Sequence, residues 1–471
     1  MGKAYLEKFR QFWYIKNDMY DNLKKFILLA GDIFVLYFSL YLTLAVRYWE
    51  QPSGATWQNH FGPFSIVFIA WILIFYISNL YSLHIAVNDG KFFSVTIRSV
   101  AISSLLSAAF FYVNPNISIA PKTNLVIYLV VFVGLFLLWR RTFNWLLSAY
   151  LPKNKVVVIG RNGQVDELAA VLKNKPHLGY KIALIVNPNG GEKGADKKVV
   201  FDKILKLNQF LIENRISMIV LATDPHSSPE LRTFLFNCLP LKINFVSLPN
   251  FYEIITGKVP IEAIDKMWFL ENLNLGNKYF FDLFKRLYDF ILALAILLIT
   301  LPLWFLIGLA VKLESRGPVF ITMPRSGRNG KAFKMYKFRT MREEGNDRSL
   351  TVKNDPRITR FGSFLRKTRL DEIPQVLNII MGQMSFVGPR PERPEFIRDL
   401  EKQIPFYRER MLVKPGATGW DQISGEYHSP TPEDSLKKLQ YDLFYVKNRS
   451  AYLDLSIILK TVATVLSRKG L

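Results

Sequence analysis

Four apolar stretches fill the first third of the chain: about Phe26–Tyr48, Phe61–Leu83, Phe92–Val113 and Asn124–Leu147. Each is close to the ~20 residues that carry a helix across ~30 Å of hydrocarbon. In lipid every backbone polar group must be satisfied within the spanning structure, so these stretches predict a helical membrane unit over residues 26–150. Composition agrees, since half of the 471 residues are apolar and 37 are Phe. Asp32, Arg47 and Arg98 interrupt or border the spans, where such charges serve helix pairing or snorkelling.

The distribution of Lys and Arg sets the orientation. Residues 1–25 carry Lys3, Lys8, Arg10, Lys16, Lys24 and Lys25 and read as a cytosolic arm lying at the interface, without the pattern of a cleavable signal peptide. The segment Glu50–His60 has no Lys or Arg, Asn114–Lys122 has only Lys122, and the fourth stretch ends in Arg140-Arg141 followed by Lys153 and Lys155. The positive-inside rule then puts both ends of the four-helix unit in the cytosol. A formal charge of +23 calls for an anionic partner. Beside membrane spans, that favours membrane lipids or a nucleotide over nucleic acid. The one cysteine, Cys238, excludes an intrachain disulfide or a multi-cysteine metal site.

From residue 151 the pattern changes to strand-like runs at Lys155–Ile159, Lys181–Val186, Met218–Thr223 and Ile243–Leu248. Helical stretches separate them at Gln164–Lys173, Phe201–Asn214 and Glu230–Leu239, so residues 151–250 predict a small Rossmann-like parallel α/β domain. Its dinucleotide fingerprint is poor. Gly160-Arg-Asn-Gly163 lacks the middle glycine, and Asn187-Pro188 stands where an acid would hold a ribose. Residues 251–278 read as a connector running back to the membrane.

A fifth apolar run, Phe290–Val311, has no charge, yet Lys285 and Arg286 precede it and Lys312 and Arg316 follow it. Both flanks therefore carry the cytosolic label. Pro302 falls near its middle, with Thr300 beside it to satisfy a freed carbonyl. A fifth crossing would also carry the rest of the chain outside the cell, away from cytosolic nucleotides. These observations predict a re-entrant helix–break–helix over 288–311 rather than a crossing.

Beyond it, basic motifs cluster. Arg325-Ser-Gly-Arg328-Asn-Gly-Lys331 offers glycines through which amides can approach an anion. Lys337-Phe-Arg339 alternates as a strand that puts both cations on one face. Asp355-Pro-Arg357-Ile-Thr-Arg360 reads as a turn with paired guanidinium groups. Finally Arg366, Lys367 and Arg369 lead into the adjacent acids Asp371-Glu372, with Pro389-Arg390-Pro391 downstream. Residues Ile373–Gly382 predict a short helix with Pro374 in its first turn, which puts the acids at its amino terminus. Two adjacent acids in such a setting can hold a divalent cation such as Mg²⁺ or attack a phosphorus; Asp371 can also be a plain helix cap.

At this point the chain resembles the bacterial sugar transferases, the monotopic polyprenyl-phosphate phosphoglycosyl transferases, in their long form. The resemblance rests on Lys285-Arg286…Asp289, Thr300-Leu-Pro302, Lys312–Phe320, Lys337–Met341, Asp355–Arg360, Leu370–Pro374 and Val387–Pro391. It implies transfer of a sugar 1-phosphate from a UDP-sugar to undecaprenyl phosphate, with release of UMP, at the cytosolic face of the bacterial inner membrane. It also implies that Asp371 is the nucleophile, that Glu372 helps bind Mg²⁺, that Lys337 and Arg390 bind phosphate, and that the segment around Pro302 is re-entrant. The implied architecture is a four-helix transmembrane unit, a Rossmann-like α/β domain and an α-rich α/β catalytic domain over 279–471; a homodimer is compatible with the long form.

The sequence departs from the family pattern at one place: Met323, followed by Pro324, stands where the family usually has a glutamine before Arg325. Two other readings stay open. A membrane-anchored nucleotide-sugar epimerase or dehydratase would need a Tyr-x-x-x-Lys pair, for which only Tyr20…Lys24 has the spacing. A polybasic scaffold for polysaccharide export would need no chemistry from Asp371.

Overall fold

The computed structural model describes residues 2–78, 80–81, 90–113, 121–150, 154–174, 178–186, 207–225, 229–273, 278–342, 355–424 and 431–466. The chain forms two compact units, Met1–Phe251 and Tyr252–Leu471.

The first unit opens with four long helices: α1 (Gly2–Tyr48), α2 (Gly54–Ile77), α3 (Gly90–Val113) and α4 (Pro121–Tyr150). The amino-terminal arm is thus continuous with the first span as one helix of 47 residues, not a separate element. The second span also starts earlier than its apolar run, because Ser53 caps it by accepting from the Thr56 amide. Aromatic rings fill the bundle core, with Phe64, Trp71, Phe75, Tyr128, Phe132 and Phe136 all nearly inaccessible. Trp71 meets Phe132 edge to face at 4.9 Å, a geometry worth ~1 kcal/mol beyond area burial.

Asp32 has its partner on α4. Arg140 donates from Nε (3.1 Å) and Nη2 to its carboxylate, and from Nη1 to the Leu80 carbonyl (2.6 Å). Arg140 is therefore a buried pairing residue rather than a free flanking charge; in hydrocarbon an unpaired charge on either helix would be costly. Arg47 likewise donates to Asn124 across the bundle.

The α/β part of this unit runs β1 (Asn154–Ile159), α5 (Gly163–Asn174), β2 (Tyr180–Val186), α6 (Leu207–Glu213), β3 (Met218–Leu221), α7 (Pro229–Asn237) and β4 (Asn244–Ser247). The strands pair in parallel in the order β2-β1-β3-β4. The continuous apolar runs of β1 and β3 suit central strands covered on both faces. Gly160 takes φ +102° where the chain leaves β1, and an added Cβ would lie 2.3 Å from the Thr223 hydroxyl. Asn187-Pro188 and the first six residues of the expected Phe201–Asn214 helix lie outside the described residues.

The second unit begins with α8 (Leu248–Thr256), most of which belongs to it, and α9 (Lys266–Asn272). Residues 251–278 are therefore more than a connector. Val259, Ile261 and Trp268 are buried in one cluster with Ile397, Tyr407 and Leu443, and Glu253 is paired with Lys447 at 2.6 Å.

Next comes α10 (Tyr279–Glu314), a single helix of 36 residues with Pro302 inside it. The expected interruption at Pro302 is absent from its secondary structure. The Thr300 hydroxyl bonds the Ile296 carbonyl at 2.7 Å and not Leu298, whose carbonyl lies four residues before the proline. One stripe of α10 (Asp289, Ala293, Ile307, Val311) is buried against the unit. The opposite face is apolar and bare, with Leu298, Ile299, Phe305 and Leu306 each more than 60% exposed. Among the described residues, α10 and the four helices of the first unit are long and apolar enough to cross a membrane. Such a surface identifies a membrane protein.

The remainder packs around α10 as β5 (Phe320–Ser326), β6 (Ala332–Phe338), α11 (Arg360–Thr368), α12 (Gln375–Ile380), β7 (Ser385–Val387), α13 (Pro394–Gln403), β8 (Gly416–Thr418), α14 (Pro432–Asn448) and α15 (Ala451–Leu466). Strands β5 and β6 form an antiparallel hairpin, and β7 pairs in parallel with β8.

Candidate active site

The acids Asp371 and Glu372 sit on a single 3₁₀ turn, Leu370–Glu372, between α11 and α12. Arg369 makes the corner in the left-handed region at φ 59°. Helix α12 has six residues with Pro374 as its N-cap, so it is shorter than the apolar run implied and starts one residue after the proline. Its far end is closed by Gly382 (φ +78°) and by Arg286 of α10, which donates to the Ile379 and Ile380 carbonyls at 2.6 Å each. A Cβ on Gly382 would lie 3.3 Å from that guanidinium, so the glycine lets the two meet.

Asn378, fully buried, fixes α12 to the hairpin: it accepts from the Tyr336 amide (3.1 Å) and donates to the Lys334 carbonyl (2.7 Å). This brings Lys337 of β6 over the acids. Its Nζ lies 2.7 Å from Glu372 Oε1 and 3.9 Å from Asp371 Oδ2. Arg390 Nη2 donates to the same Glu372 oxygen at 3.1 Å. The Arg390 loop is held from behind by Arg410, which donates to the Arg390 carbonyl (3.0 Å) and pairs with buried Asp442 at 2.7 Å.

The two carboxylates are thereby made different. Burial alone would push Glu372 up, but Arg390 and Lys337 together hold it well below the usual carboxylate range. Burial pushes Asp371 up, and the neighbouring Glu372 charge adds to this, against the pull of Lys337, Arg366 and Arg369. Asp371 is only 7% exposed, and its Oδ1 has no hydrogen-bond partner. A buried carboxylate oxygen left unpaired costs stability, so its retention points to chemistry.

A pocket beside the acids is lined by Arg325, Met335, Lys337, Gln375, Arg390 and Pro391 together with the backbone of β8. Pro389 lines a second pocket that shares Arg390 and Pro391 with the first. Close approach of the β8 backbone requires glycine, since a Cβ on Gly416 would fall 2.1 Å from the Gly388 nitrogen. Arg366 remains near Asp371, its Nε bonded to the Thr340 hydroxyl at 2.9 Å.

Other predicted residues go elsewhere. Arg339 lies past the end of β6, where the strand alternation no longer applies; it is buried and donates to the Ser315 carbonyl at 2.7 Å. Arg357 is spent on Asp355, to which it donates from Nε and Nη2 at 2.9 and 2.7 Å. Arg360 is the exposed first residue of α11. The glycine loop after Arg325 is the turn of the β5–β6 hairpin. The Gly327, Gly330 and Lys331 amides are used within that turn, and the Ser326 amide bonds the Glu392 carbonyl, so the glycine amides are not left for an anion.

Along α10, Lys285 pairs with Asp454 of α15 and Asp289 accepts from the Phe386 amide at 3.3 Å. Glu314, at the other end, accepts from the Phe361 amide at 3.0 Å. The sequence alone does not mark Asn378, Arg410 or Asp442 as parts of the site. The one available signal was polar residues on otherwise buried helical faces, as with Asp442 between Leu439 and Tyr445.

The oxygen-only donor set suits a hard cation such as Mg²⁺, which commonly takes one or two carboxylates and completes its shell with water and substrate phosphate. Among the described residues no group of three or more acidic, His or Cys side chains assembles, so the protein would supply few of the ligands.

Residues 280–468 match the bacterial sugar transferase family, and residues 65–249 match a family described as a CoA-binding domain. A UDP-glucose:undecaprenyl-phosphate glucose-1-phosphate transferase of Xanthomonas campestris pv. campestris is 33% identical over 359 residues, 72% of each chain. An Escherichia coli K12 protein of the same description is 28% identical over 440 residues, 92% of this chain and 93% of that one. A UDP-N-acetylgalactosamine-undecaprenyl-phosphate N-acetylgalactosaminephosphotransferase of Aeromonas hydrophila is 34% identical over 249 residues, 52% and 58% of the two chains. With the paired acids, the cationic pocket and the apolar α10 in place, the chain belongs to the bacterial sugar transferase family.

Proposed function

We propose that this protein transfers a sugar 1-phosphate from a UDP-sugar to undecaprenyl phosphate at the cytosolic face of the membrane, releasing UMP. The observation that carries the reading is the division of labour between the two acids: Glu372 is pinned by two cations, while buried Asp371 keeps one oxygen unbonded. In the first step the Asp371 carboxylate attacks the sugar-bearing phosphorus. An Asp371–phosphorus bond forms, the bond to the nucleotide's bridging oxygen breaks, and that oxygen leaves with the electron pair as UMP. In the second step an oxygen of the lipid phosphate attacks the same phosphorus and regenerates the carboxylate. Splitting the reaction means that two mutually repelling anionic substrates need never occupy the site together.

Glu372 anchors Lys337 and Arg390 at the edge of the pocket, where their remaining donors can meet phosphate oxygens. Mg²⁺, held through Glu372 and Asp371, would supply further neutralisation of phosphate charge.

A re-entrant α10 that enters and leaves on the cytosolic side fits this chemistry. In its favour, Lys285, Arg286 and Asp289 near one end and Glu314 and Ser315 at the other all bond to the same unit. A bend at Pro302 without loss of helical secondary structure would suffice. The epimerase and scaffold readings gain nothing from the site or from the relatives.

The test is to incubate the full chain in membranes with undecaprenyl phosphate, Mg²⁺ and a panel of UDP-sugars while measuring UMP. Release with one donor names the sugar; no release with any donor overturns the proposal.

A further inference from the structure

The charges of the pocket do not fall where the motifs alone place them. Lys337 and Arg390 both face one oxygen of Glu372, at 2.7 and 3.1 Å, so much of their charge is already answered. Arg325 differs. Its Nε is buried without a hydrogen-bond partner, and its Nη2 lies 3.9 Å from the Met323 sulfur, a weak acceptor. Glu392, the carboxylate whose field it feels most, is bonded to Lys438 and lies 4.0 Å from Arg410. Among the described residues Arg325 makes no ion pair, yet it lines the same pocket as Lys337 and Arg390.

The hairpin register gives its place. Ile321 faces Lys337 and Arg325 faces Phe333, so Arg325 and Lys337 share a face but stand four residues apart along the ladder, ~14 Å at ~3.4 Å per residue. Lys337 is the lining residue that borders Asp371, at 3.9 Å, and Arg325 lines the same pocket from four residues along the ladder.

Resting on the transferase reading above, we infer that Arg325 binds the nucleotide-side phosphate of the donor, the one that leaves, and that Met323 keeps its guanidinium uncommitted for that role. When the bond from phosphorus to the bridging oxygen breaks, the electron pair stays on the departing phosphate, whose charge rises from one towards two. A cation there strengthens its hold as the reaction proceeds, which is the condition for acceleration rather than mere binding. A glutamine at position 323 would present a better acceptor to Arg325 than a thioether does.

The test uses the full chain in nanodiscs and follows isotope exchange between labelled UMP and UDP-glucose or UDP-N-acetylgalactosamine without acceptor lipid. A second measurement chases the preloaded phosphosugar onto undecaprenyl phosphate. Arg325→Gln should raise the UMP concentration for half-maximal exchange by about tenfold or more, with the chase rate within about twofold of the parent. Met323→Gln should raise it by about two- to tenfold, the range of one neutral hydrogen bond in competition. An unchanged UMP dependence in Arg325→Gln, or equal slowing of exchange and chase, overturns the assignment. If Arg325→Gln does not fold, Met323→Gln decides, and an unchanged UMP dependence counts against it. Absence of exchange in the parent chain would instead overturn the underlying transferase reading.

Discussion

Lys337 Nζ lies 2.7 Å from Glu372 Oε1 but 3.9 Å from Asp371 Oδ2, so one lysine completes an ion pair with the second acid of the dyad and only borders the first. Both acids are shielded from water, yet they end with opposite tendencies. Glu372 is a fixed anion that organises cations. Asp371 is a carboxylate under strain from desolvation.

Replacing Asp371 by Asn should abolish turnover without loss of stability. An acid whose folded pKa is raised binds its proton more tightly in the folded state, so ionisation costs stability at neutral pH and the neutral amide removes that cost. UMP release should fall by at least about a thousandfold while the apparent unfolding temperature stays equal or rises. A drop in that temperature would contradict this account of Asp371.

Glu372→Gln should behave in the opposite way. It leaves Lys337 and Arg390 without their shared anion, a change that costs about 3 kcal/mol at a buried pair and less where Arg390 reaches solvent. Because the folded pKa is depressed, the stabilisation is full above the ordinary glutamate value of 4.5 and fades as pH falls below it. Thermal unfolding of parent and variant between neutral pH and pH ~4 should show a gap that begins to narrow only at the acid end.

The pH–rate profile should have its acid limb above the ordinary aspartate range, since Asp371 must lose its proton to attack and burial raises its pKa. Lys337→Met removes the largest opposing influence on Asp371 and should move that limb to still higher pH. A limb that stays in place would argue that another group governs it.

Topology is open to a direct probe. In a Cys238→Ser background, single cysteines at 286 and 316 should both react with a membrane-impermeant thiol reagent from the cytosolic side only. Labelling from opposite faces would make α10 a crossing helix.

Much of this was legible in the sequence because the signals are local. Continuous apolar runs located the spans, short apolar runs located β1 to β4, and Pro374 and Gly382 flank α12, although the helix is shorter than its apolar run implied. What could not be read was who pairs with whom. Arg140 looked like a flanking charge until Asp32, 108 residues away, proved to be its partner. Arg357 looked available for phosphate, but Asp355 beside it takes its guanidinium. Lys285 finds Asp454 across 169 residues. Such pairings are fixed by tertiary packing, which single-sequence patterns do not encode, and they decide which cations of a basic motif remain for a ligand.

The most direct measurement is to trap the intermediate. The full chain is mixed with a UDP-sugar labelled in the sugar, with no acceptor lipid present, then quenched in acid and digested. A burst of UMP approaching one equivalent is expected, with label on the peptide containing Asp371 that is lost in Asp371→Asn. UMP release that requires the acceptor, with no label on that peptide, would contradict the two-step mechanism.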